Sequence, residues 1–365
     1  MSTEYHDPGN CTAERAEKGA RIAASGGEDP EGAAAPVAAA RSEAQPSGDP
    51  SAGRHRRRPA PFAALALALS ACASAPPAAP TQEPAHAPGA TPTLWSARPR
   101  HAPHPLLYLL GSVHVGDPRM RELGGEVERI WERAEELVVE ADVSRIDLTE
   151  IQLMMQRFGG IAAPERLQDR LEPETWELLQ AYLAEKGLPP DAFNSVAPWL
   201  VATSVAVLQY RELGFQEELG VDRMFTERAM QEHKPIVELE TAEEQFALFA
   251  NLPRELQDLM LRDTLLRARE SPDEASQMME AWARGDDAEL EAIALEPLER
   301  APQFEPFYER VFFERNERMA ERLAQLSLDG RVRIVVVGAG HMLGPRGIPA
   351  LLEKSDFEIR KTTSR

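Results

Sequence analysis

The chain has 365 residues, with 60 acidic against 40 basic side chains and a formal net charge of −20. That balance excludes nucleic acid, or an anionic membrane surface held by charge alone, as a partner. Its only cysteines, Cys11 and Cys72, precede the region where strand and helix signals begin, which excludes a disulfide framework and a thiolate metal site. Any metal is therefore held by nitrogen and oxygen.

Residues 1–53 are rich in Ala, Gly, Pro, Ser and Glu and nearly lack large apolar side chains, so they are expected to stay disordered. Residues 54–72 follow with a positive stretch (Arg54 to Arg58), a short apolar core (Phe62 to Leu69) and Leu69-Ser70-Ala71-Cys72. The core is too short to span a bilayer as a helix. The segment resembles a bacterial lipoprotein signal, which implies cleavage before Cys72, lipidation of its thiol and anchoring to a membrane facing the periplasm or the exterior. Because 53 residues precede the signal, synthesis is expected to begin nearer the arginines. A Pro/Ala-rich linker, residues 73–92, leads to the folded body, residues 93–365.

A strand is expected near residue 94 and another over Leu106 to Leu110, where "HPLLYLLGSVHVGDP" meets Gly111 and His114 follows three residues later. A helix over about 119–135 leads to a second strand, "ELVVEAD", which carries Glu140 and Asp142. Residues 143–230 read as helices. "EPETWELLQAYLAEKG" has a proline in its first turn and a glycine stop, and "APWLVATSVAVLQYREL" is apolar on almost every side and should be buried. Lys234-Pro235 then opens a strand, Ile236 to Leu239, which ends at Glu240 and Thr241 before another helix. Residues 253–327 return to helix, and the last of these carries Arg315 and Asn316.

The stretch "RIVVVGAGHMLGPRG" repeats the earlier pattern: a strand (Val332 to Val337), Gly338, and His341 three residues on. A helix near 346–354 and a strand at "DFEIR" follow. The Gly338-Ala339-Gly340 run is not expected to hold a dinucleotide, because that fold needs about 30 residues of strand-helix-strand and an acid about 20 positions on. One Gly-x-x-His is a chance occurrence; two, each between an apolar strand and a helix, are a pattern.

The alternation predicts an α/β fold: a pseudo-twofold mixed sheet of two strand-GxxH-helix-strand halves flanked by helices, with a helical insertion between the halves. Ligands of such sheets gather beyond the carboxyl ends of the strands. Those ends offer His114, Glu140, Glu240 and His341, a nitrogen and oxygen set suited to Mn, Co, Zn or Fe, and an open position on such an ion would activate water for hydrolysis. Each residue also has a plainer role. The histidines would cap helices or bond in the core, Glu140 and Asp142 would be solvated, Glu240 with Thr241 would cap the next helix, and Arg315 would pair with surface acids. No H-E-x-x-H, G-x-S-x-G or P-loop pattern occurs.

Together "YLLGSVHVGDP", "LVVEAD", "GVDRMFTERAMQEHKPIVELETAEEQFALF", "ERNERMAERL" and "VVVGAGHMLGPRGIPALLEKSDFEI" resemble the TraB/GumN/Tiki family across nearly all of residues 93–365. The resemblance implies a fold related to erythromycin-esterase-like and ChaN-like proteins, and metalloprotease-type activity in the members called Tiki. It matches His114 and His341 to the paired motif histidines, Glu140 and Glu240 to the acidic positions, and Arg315 with Asn316 to the polar pair on the late helix. The expectation is a membrane-anchored, metal-dependent hydrolase of peptide or protein substrates. His114 and His341 would bind the ion, one of Glu140 and Glu240 would complete the site with the other as base, and Arg315 would stabilise the oxyanion with Asn316 as helper. The rival is a protein that binds haem, iron or a signalling peptide without turnover.

Overall fold

Six strands build one sheet: β1 (Thr93–Pro99), β2 (Leu107–Ser112), β3 (Glu136–Val139), β4 (Ile236–Glu238), β5 (Arg333–Gly338) and β6 (Phe357–Thr363), in the order β4-β3-β5-β2-β1-β6. The structure, a computed structural model, describes residues 89–142 and 145–363; the arm, the signal segment with Cys72 and most of the linker lie outside the described residues. Every strand expected from the sequence is present, and the fold is α/β with a mixed sheet. β2, β5, β3 and β4 run parallel, whereas β1 is antiparallel to both β2 and β6.

The central strands are apolar without alternation because both faces of the sheet are covered. On one face Leu110, Leu137, Ile334 and Val336 pack with Ile130 and Trp131 of α1 (Gly125–Arg133). On the other, Leu107, Leu109, Val335 and Val337 meet Met319 and Leu323, together with Ile348 and Leu352 of α12 (Ile348–Lys354). The expected helix over 119–135 is broken: a 3-10 turn (Pro118–Arg121) precedes α1, and Gly124 at φ 86° turns the chain between them.

The helical insertion comprises α2 (Leu148–Gly159), α3 (Pro173–Glu185), α4 (Pro198–Glu212), α5 (Val221–Gln231), α6 (Ala242–Ala250), α7 (Arg254–Glu270), α8 (Glu274–Arg284), α9 (Asp287–Arg300) and α10 (Glu305–Tyr308), which passes through a π-turn (Glu309–Phe313) into α11 (Glu314–Leu326). It has its own core, in which the Trp199 and Phe249 rings stack at 5.7 Å and α4, the segment expected to be buried, carries Trp199, Val201, Ala202 and Val205.

The two Gly-x-x-His strands are neighbours, with Gly111 opposite Val337 and Ser112 opposite Gly338. The expected pseudo-twofold is not carried through the sheet. β3 sits directly beside β5, but antiparallel β1 intervenes between β2 and β6.

Candidate functional site

Because β2, β5, β3 and β4 are parallel, their carboxyl ends share one edge, where His114, His341, Glu140 and Glu240 follow. The two histidine turns touch: a Cβ on Gly111 would lie 2.9 Å from Ala339 Cα, so only glycine permits that approach. The Trp282 indole N–H donates to the Gly111 carbonyl at 2.8 Å and ties α8 to the same turn.

His114 is locked by the start of α5. The Val221 N–H donates to the Val113 carbonyl at 2.8 Å, and Gly220 lies so close that its Cβ would fall 2.4 Å from the His114 carbonyl oxygen. Asp222, in the first turn of α5, accepts a 2.6 Å hydrogen bond from His114 Nδ1. Burial pulls the His114 pKa down, but the Asp222 carboxylate, through charge and hydrogen bond, and Glu140 together outweigh it and hold the imidazole above its ordinary value.

His341 sits in a 3-10 turn (Ala339–Met342) and is only 4% exposed. Its Nδ1 lies 2.5 Å from Asn316 Oδ1, while the Asn316 amide donates to the Arg346 carbonyl at 2.8 Å. That second bond orients the amide: Oδ1 must face the imidazole and accept from Nδ1–H, leaving the lone pair on Nε2. Burial lowers the His341 pKa to about 3 against the pull of Glu140, so the ring is neutral at pH 7. Its Nε2 stands 3.7 Å from Glu140 Oε2.

Glu140, 8% exposed, is ionised with a pKa of about 2. Burial opposes this, and the Arg315 charge, with the two imidazoles, overcomes it. Its Oε1 accepts from Gln245 at 2.7 Å and from Arg315 Nη2, and its Oε2 accepts from the Gly338 amide at 3.3 Å. Glu240 receives a fork from Arg315, Nε at 2.9 Å and Nη2 at 2.7 Å, while Arg315 Nη1 donates to the Val311 carbonyl at 3.0 Å.

Two sequence expectations therefore change place. Arg315, 3% exposed, is not a surface partner; it lines the cleft and clamps two carboxylates. Glu240 lies behind that clamp, with both oxygens accepting from Arg315, and is not among the residues lining the cleft. Asn316 orients His341. Thr241, not Glu240, caps α6, sharing a capping box with Glu244. Asp142 is buried away from the cleft, its N–H on Glu238 and its carboxylate on Arg145.

The cleft holds about 50 Å³ of water-accessible space and opens in part to solvent, with His114, Glu140, Arg315 and His341 at its floor. Both imidazoles have Nδ1 pinned by an oxygen acceptor, the arrangement that orients metal-binding histidines. The Nε2 to Oε2 separation of His341 and Glu140 lets one ion at about 2.0–2.2 Å touch both. Among the described residues, however, no three His, Cys, Asp or Glu side chains converge closely enough to form a complete metal site. The donor chemistry fits a divalent transition metal; the third contact is not formed as the residues stand.

Sequence reasoning missed three site residues. Asp222 reads as an ordinary acid favouring a helix N-terminus, and its partner lies 108 positions earlier. Gln245 carried a legible signal, a polar residue four before Phe249 on a face that is otherwise apolar. Ser112 lines the cleft, and its buried hydroxyl makes no hydrogen bond to any described residue.

Residues 93–361 match the TraB/PrgY/gumN family, and the chain belongs to that family. Similar relatives are the uncharacterized protein YbaP of Escherichia coli (strain K12) and that of Shigella flexneri. Each is 30% identical over 271 residues, which is 71% of this chain and 97% of the relative. No solved structure matches significantly.

Proposed function

We propose that the cleft is the site of a metal-dependent hydrolase acting on peptide bonds. One observation carries the reading: two imidazoles with fixed Nδ1 partners and an ionised Glu140 line one cleft at the carboxyl ends of parallel strands. His114, His341 and Glu140 are the residues that would hold Mn, Co, Zn or Fe, and such an ion would supply Lewis acidity toward water and a carbonyl oxygen.

The chain's own groups prepare that chemistry. Asp222 and Asn316 set the tautomers that present Nε2. Arg315 keeps Glu140 anionic, Gln245 and Arg315 occupy Oε1, and Oε2 is left as the oxygen that meets water or an ion. Glu240 holds Arg315 in place for this task.

The test is metal content and peptide cleavage of the purified protein and of His114→Ala and His341→Ala. The expected result is stoichiometric metal lost in each variant, with cleavage abolished by chelator and restored by Mn or Co. Metal that survives both substitutions, or a Soret band on adding haem without any cleavage, would overturn the reading.

The same proposal places the protein on an envelope membrane through lipid on Cys72. The support is the run from Arg54 to Cys72. No helix among the described residues is long and apolar enough to cross a membrane.

A further inference from the structure

The polar floor of the cleft comes mostly from the strand ends, joined by Arg315 of α11 and Gln245 of α6, whereas its walls are apolar. Phe249 of α6, Met278 of α8, Leu290 and Ala294 of α9, Phe312 of the π-turn and Leu343 surround the floor, and all except Leu343 belong to the helical insertion. Phe312 is a rigid wall: its ring lies 5.3 Å from the His341 ring, and Gly340 is pressed against it so tightly that a Cβ there would sit 2.9 Å from a ring carbon.

The charges of the cleft are already matched to one another. Of the lining residues only His114, His341, Glu140 and Arg315 ionise, and Arg315 directs four of its five N–H donors to Glu140, Glu240 and the Val311 carbonyl. Among the described residues no uncommitted cation lines the cleft to receive a carboxylate or phosphate, because the Arg315 guanidinium already faces Glu140 and Glu240. An apolar group seated against Phe249, Leu290 and Phe312 gains by leaving water.

We propose that this apolar pocket is the specificity site, binding one large uncharged side chain, of the Leu, Met or Phe type, next to the bond that the floor residues attack. The inference rests on the hydrolytic reading above and adds its substrate class. Pocket contacts of this kind discriminate by about 10- to 200-fold for each methylene-sized difference, so large apolar residues are preferred over Gly or Asp by at least that range.

The test pairs cleavage with binding, on the wild-type chain and on two variants that change the pocket in opposite directions. Leu290→Ala enlarges it and Ala294→Trp fills it. A synthetic peptide library gives the ratio of cleavage beside Phe to cleavage beside Ala. Saturation-transfer NMR with N-acetyl-leucinamide, N-acetyl-phenylalaninamide, N-acetyl-glycinamide and N-acetyl-aspartamide gives binding without turnover. The expected result is a Phe/Ala ratio of at least about 10 in the wild type, raised by Leu290→Ala and lowered by Ala294→Trp, with saturation only from the two apolar amides. Equal saturation by all four amides, none from any, or a preference for the aspartate probe overturns the proposal. If the wild type cuts no peptide at all, the hydrolytic reading falls; selective saturation by the apolar amides, lost in Ala294→Trp, would still uphold the pocket.

Discussion

Arg315 joins two carboxylates from different strands, Glu140 and Glu240, in a place that water hardly reaches. Removing the guanidinium leaves Glu140 only Gln245 and the Gly338 amide, and leaves Glu240 Arg318 at 3.5 Å; breaking a buried pair in this way costs about 3–5 kcal/mol. Arg315→Met should therefore lower stability by that amount in urea unfolding. Arg315→Lys should recover little, since an ammonium cannot serve the fork on Glu240 and Glu140 together. His341 yields a second expectation. Its folded pKa of about 3 lies below the unfolded value of 6.5, so the unfolded chain takes the proton first as pH falls. Its contribution to stability is complete above pH 6.5 and is lost on the way down to pH 3, with a slope of up to about 1.4 kcal/mol per pH unit. Unfolding measured between pH 5 and 6.5, above most carboxylate titrations, should show that slope in the wild type and a flatter one in His341→Gln; identical slopes would refute the assignment.

At the scale of elements, the start of α5 is the part that aligns the first histidine. Gly220 touches the His114 carbonyl and Asp222 follows at hydrogen-bond distance from its ring, so a methyl group at 220 must push the helix away. Gly220→Ala should cost about 1–3 kcal/mol and raise the metal concentration needed for half-occupancy, both readable from melting curves with and without Mn. A stable variant with unaltered metal affinity would show that α5 does not align the imidazole. The strands were legible in the sequence because fully covered parallel strands are uninterrupted apolar runs, and the Gly-x-x-His pairs because each run stops at a glycine. The division of labour between Glu140 and Glu240 was not legible. Both end strands, and only the packing of α11 places Arg315 so that one acid is forked and the other faces the cleft. The helix expected over 119–135 is shorter because Gly124 adopts a positive φ, which apolar spacing alone does not reveal.

At the scale of the whole molecule, the proposed anchoring rests on Cys72 alone. Cells grown with a tritiated fatty acid should label the wild-type protein and not Cys72→Ala, and the variant should move from the membrane to the soluble envelope fraction. Equal labelling of both would end the lipoprotein reading.

β5 is the fifth strand in chain order yet occupies the middle of the sheet, with Arg333 opposite both Leu107 and Glu136. Until it is synthesised, β2 and β3 have no neighbour on their inner edges, and His341 does not exist to share a cleft with His114. Such remote pairings form late and slowly. A growing polypeptide therefore cannot close the centre of its sheet, or bring the two histidine turns together, until this late strand has been made.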